Sequence, residues 1–126
     1  MKAILAAGAL ALVGGAAWLF LAHRGPDHHG QGFRGLGAVE IAALVEKPSD
    51  YLKKEVRIEG ILAKQCPSTG CWFFLREPGG KEIKVEMGDT TPKLPARVGK
   101  KATVEGQLIR YGAEYQFIGT AVEFHE

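Results

Sequence analysis

Residues 54–62, KEVRIEGIL, return 46 positions later as residues 100–108, KKATVEGQL. In the first copy Val56 and Ile58 alternate with Glu55, Arg57 and Glu59, the period of a strand with one apolar face and one solvated face. The second copy places Ala102 and Val104 in the same positions. Both copies then reach Glu-Gly, at Glu59-Gly60 and Glu105-Gly106, before the apolar pattern resumes. A glycine inside a strand marks a bulge, a bend or a close backbone approach. Two bending strands far apart in sequence are what closing a small barrel demands.

The rest of the chain supplies the missing strands. Glu55 to Cys66 is the first, and Cys71 to Arg76 (CWFFLR) the second. After the turn Glu77-Pro78-Gly79-Gly80, Lys81 to Met87 sets Ile83, Val85 and Met87 against Glu82, Lys84 and Glu86. Residues 88–99 (GDTTPKLPARVG), with two prolines, form a long connection. Lys101 to Tyr111 and Tyr115 to Phe124 follow, joined by Gly112-Ala113-Glu114. Upstream, Val39 to Glu46 has Ile41, Leu44 and Val45 at helical spacing and is stopped by Pro48. The expected fold is mainly β: a single five-stranded OB-fold-like Greek-key barrel with one short N-terminal helix. An SH3-like barrel or an open meander are the alternatives. The first and fourth strands of an OB-like barrel are neighbours, which accounts for both glycines.

Charge and hydropathy divide the 126 residues into three parts. Residues 3–22 carry no charge and contain only apolar side chains and three glycines, about 30 Å of helix and enough to cross a bilayer. Residues 1–22 therefore read as a transmembrane anchor or uncleaved signal, with a cleaved signal peptide as the alternative. Residues 23–35 (HRGPDHHGQGFRG) lack apolar periodicity and read as a flexible linker, in which His23, His28 and His29 are expected to be solvated. Residues 36–126 hold 13 Lys plus Arg against 13 Asp plus Glu. The formal charge of +2 thus belongs to the anchor and linker, and a neutral barrel argues against nucleic acid as partner.

Cys66 and Cys71 flank Pro67-Ser68-Thr69-Gly70 at the first hairpin. Across so short a loop the two Cβ atoms come within reach of a disulfide, the reading we take first. The C-x₄-C spacing differs from the C-x-x-C of thioredoxin-like motifs, and no helix N-terminus or neighbouring histidine is evident to activate a thiol. Two thiolates could instead hold Cu(I), with Met87 as a thioether donor. Directly after the second cysteine, alternation puts Phe73 and Leu75 on one face and Trp72 and Phe74 on the other. The latter pair is the candidate binding platform.

LVEKPSDYLKKEVRIEG (residues 44–60), Cys66-Pro67-Ser68-Thr69-Gly70-Cys71-Trp72-Phe73 and VGKKATVEG (residues 98–106) resemble a family of small bacterial envelope proteins with one OB-fold and a Cys-Pro-x-x-Gly-Cys-Trp hairpin. The resemblance covers about 85 residues and implies a fold and a compartment: the bacterial inner membrane, single-pass, with the domain in the periplasm or outside the cell. No Ser-His-Asp set, phosphate loop or nucleotide fingerprint is present, so an enzyme is not expected. The functional expectation is a membrane-anchored binding or accessory module that meets an envelope protein or small ligand. A copper or thiol-redox accessory role for Cys66 and Cys71 is the alternative. Further alternatives are haem handling, suggested by an architectural resemblance to the haem chaperone of cytochrome c maturation, and single-stranded nucleic-acid binding.

Overall fold

The structure, a computed structural model, describes residues 27–67, 72–87 and 93–125. The proposed span at residues 1–22 lies outside them. Among the described residues no helix is long and apolar enough to cross a membrane.

The alternating segments become strands β2 (Glu55–Gln65), β3 (Trp72–Arg76), β4 (Glu82–Met87), β5 (Lys101–Tyr111) and β6 (Glu114–His125). Pairing runs β2-β3-β4-β6-β5 and returns from β5 to β2, closing a five-stranded barrel. All neighbours are antiparallel except β4 and β6. Alternation selects the interior: Ile58, Leu62, Phe73, Leu75, Val85, Val104, Leu108, Phe117 and Val122 are each fully buried.

β2 serves two neighbours. Residues 55–61 pair with β5, and residues 61–65 pair with β3 through an irregularity at 62–64. Gly60 sits at the changeover, where an added Cβ would lie 2.6 Å from the carbonyl oxygen of Arg76. In β5, Gly106 lies beside a bulge against β6, and a Cβ there would run into the carbonyl oxygen of Ile118. The two glycines of the sequence echo are thus required by backbone approach at the places where the barrel closes.

Helix α1 (Ile41–Glu46) is shorter than the sequence suggests, because Val39 N–H donates to Arg57 O and holds the preceding residues extended along β2. Ile41 and Leu44 enter the core. Glu40, at the N-cap, makes no side-chain cap bond; the Glu77 carboxylate, from the β3–β4 turn, accepts from the Ile41 and Ala42 N–H groups at 3.0 Å each. Pro48 ends α1 as expected and begins a 3₁₀ turn, Pro48–Asp50.

The linker expectation needs correction. Residues 27–36 are laid along the barrel, with β1 (His28–Gly30) antiparallel to the last part of β6. Asp27 meets Arg97 Nε at 2.6 Å, and Phe124 N–H donates to Asp27 O. Gly30, at φ 85°, passes so close to the Thr120 carbonyl that no side chain would fit. Backbone pairing and glycine made this segment a strand without any apolar period to announce it.

Candidate ligand face and the cysteine hairpin

On β3 the pleat divides the aromatic residues as the sequence implies. Phe73 and Leu75 are fully buried, whereas Trp72 and Phe74 are half-buried on the outer face. Their rings meet edge to face, with centroids 5.8 Å apart. β4 lies beside them in register, Glu86 opposite Trp72 and Lys84 opposite Phe74. Lys84 Nζ stands 5.4 Å from the indole centroid, a cation–π distance. Lys84 pairs with Glu86 at 3.5 Å and Arg76 with Glu82 at 2.8 Å, which with Lys64 opposite Phe74 on β2 leaves this surface near charge balance. The result is a small aromatic surface with balanced charge, suited to stacking or edge contact and poorly suited to attracting a string of phosphates.

The base of the first hairpin is closed by Cys66 N–H donating to Trp72 O at 3.1 Å. Cys66 and Pro67 border a groove of about 380 Å³ shared with Gln65, Lys93, Leu94, Ala96 and Val98. Cys71 lies outside the described residues, so the pairing of the two cysteines rests on sequence alone. Met87, the suggested third donor for copper, is buried in the core with its sulfur where a Cβ on Gly119 would stand. Among the described residues no three His, Cys, Asp or Glu side chains are placed to hold a metal.

Five charged or polar residues, Glu105, Arg57, His28, His29 and His125, make contacts that the sequence did not signal. Glu105, one residue before the strand glycine, is 1% exposed. Its carboxylate accepts from Arg34 N–H at 2.7 Å, Leu36 N–H at 3.0 Å and Arg57 Nη2 at 2.9 Å. Burial raises its pKa most strongly of any single influence, but the Arg34, Arg57 and Leu36 donors together hold it below the ordinary value of 4.5. Arg57 in turn lies 5.0 Å from the Phe33 ring centroid. His28 is far from solvated: Nε2 is 2.6 Å from Gln31 O and Nδ1 is 3.4 Å from Glu123. His29 Nε2 meets Asp27 at 2.8 Å. His125, at the end of β6, is 2.9 Å from Thr103 Oγ1. Apart from the His125 contact, which joins β6 to β5, these groups fasten residues 27–36 over β2, β5 and β6, leaving the β3–β4 face uncovered by them.

No protein-family model matches the chain, and no curated protein matches it in sequence. Solved structures do match. One is an aspartyl-tRNA synthetase from Leishmania major Friedlin, at TM-score 0.56 and 11% identity. The match covers 75% of this chain but only 21% of that one, and at such identity it speaks for the fold alone.

Proposed function

We propose that the chain is a membrane-anchored, extracytoplasmic OB-fold-like binding module whose ligand face is the Trp72–Phe74 pair with Lys84. The strand order and the two bent strands support the OB-like assignment, in which the face around the second and third barrel strands is the usual binding surface. Here those strands are β3 and β4. The observation that carries the reading is the pair of half-buried rings in edge contact under a lysine, on a face that the N-terminal segment leaves open. Balanced charge favours an apolar or planar group presented by an envelope protein or small ligand over a polyanion. A Cys66–Cys71 disulfide belongs to the same reading, pinning the hairpin from which β3 emerges.

The test is photo-crosslinking in intact bacterial cells with benzoylphenylalanine at position 74, and at exposed Tyr111 as control. A partner identified by mass spectrometry at 74, absent at 111 and lost on Trp72→Ala, supports the proposal. Crosslinks equal at both positions count against it. A second reading, single-stranded nucleic acid, draws on the tRNA substrate in the name of the structural neighbour. Oligonucleotide binding by the full chain at moderate salt, abolished by Trp72→Ala, would replace the first reading with that one.

A further inference from the structure

Asp27 is held where Phe124 N–H donates to its carbonyl and Arg97 grips its carboxylate. That is one end of the barrel, built from the end of β6, the start of β5 and residues 93–101 before and into it. Residues 93–101 carry Lys93, Arg97, Lys100 and Lys101 and no carboxylate. Of the carboxylates beside them, Asp27 and Glu123 already face Arg97 and His28, and Glu59, which borders a groove with Lys101, lies 3.5 Å from Thr103 Oγ1. The loop is braced rather than loose. Gln65 Nε2 donates to Pro95 O at 2.8 Å, Arg97 N–H donates to Gln65 Oε1 at 2.9 Å, and Gly99 N–H donates to Leu62 O at 2.8 Å. At its tip Val98 is 61% exposed, with Lys100 and Lys101 exposed beside it.

The chain outside the described residues limits where this end can go. Only residues 23–26 separate the apolar run from Asp27, a span of at most about 18 Å even when fully extended. We infer that the 93–101 loop lies against an anionic lipid surface, with Val98 entering the headgroup region and Lys93, Lys100 and Lys101 facing the lipid charge. The inference rests on the membrane-anchor reading above. With Arg97 taken by Asp27, a fixed loop that still presents three lysines around one apolar tip has the chemistry of a lipid contact, each lysine near an anionic surface raising the partition coefficient roughly fivefold. The short connection supplies proximity, so the loop has only to orient the barrel.

The experiment uses the full chain in nanodiscs containing gadolinium-chelate lipid headgroups, one set with phosphatidylglycerol and one of phosphatidylcholine alone. Paramagnetic broadening is read at the methyls of Val98 and of Val45, which borders a groove with Glu114 and Tyr115 at the opposite end. The expected result is strong broadening of Val98 and little of Val45 with phosphatidylglycerol. Lys100→Glu with Lys101→Glu, or loss of the anionic lipid, should weaken the Val98 effect at least twofold. Equal broadening at both valines, or none at Val98 in protein that remains in the disc, overturns the lipid contact and leaves the anchor standing. Protein that fails to associate with lipid at all overturns the anchor itself, and the inference with it.

Discussion

Glu105 shows how much one side chain decides. A carboxylate inside a run of strand residues would ordinarily be assigned to the solvated face, yet it is buried because three donors converge on it. Glu105→Gln keeps the shape and removes the charge, and should cost about 2–3 kcal/mol in urea unfolding at pH 7. The pH dependence has a definite sign. A carboxyl whose folded pKa lies below its ordinary value adds stability above that value and loses it as pH falls through the folded pKa. Glu105, and Asp27 through its Arg97 and His29 bonds, are both of this kind. Stability should therefore be level above about pH 6 and decline below about pH 4.5, with a shallower decline in Glu105→Gln. At the proposed ligand face, Trp72→Ala should cost about 1 kcal/mol or less while its neighbour Phe73→Ala costs about 4 kcal/mol. Equal losses in the two unfolding midpoints would mean that Trp72 belongs to the core.

At the scale of elements, the two matched glycines were legible as bends, but the obstacle each avoids was not. Gly106→Ala drives a methyl into the backbone of β6 and should destabilise by about 3 kcal/mol. Gly79→Ala, in the β3–β4 turn with nothing within 4 Å, should stay within about 0.5 kcal/mol of wild type. Thermal denaturation of the pair distinguishes steric closure of the barrel from a general cost of replacing glycine. Strand boundaries followed from alternation to within a residue or two, because one face of each strand is buried. α1 lost its first two residues to pairing with β2, and its N-terminal donors went to Glu77, a contact between residues 36 positions apart. No local pattern could have shown it.

For the whole molecule, residues 27–36 complete the domain rather than lead to it. They cover Glu105 and Arg57 and add a strand alongside β6. A chain starting at Asp27 should melt like the full barrel, while one starting at Gly37 should melt about 15 °C lower, as expected from losing 2–4 kcal/mol in a domain this small. Matching melting curves for the two would show that the segment merely rests on the surface.

Alternation and glycine placement determined the five barrel strands, the two bends and the buried and exposed faces of β3, since each depends on a period or a steric exclusion that neighbouring residues encode, while the strand order that closes the barrel was decided by pairing between distant strands. The charge count likewise showed that residues 36–126 are neutral and that the net charge of +2 lies in residues 1–35. Only the tertiary structure decided which carboxylate would be buried and that a glycine- and histidine-rich stretch would pair as a strand. Those outcomes depend on partners brought together from distant parts of the chain, where burial and hydrogen bonding override what any short stretch of residues prefers.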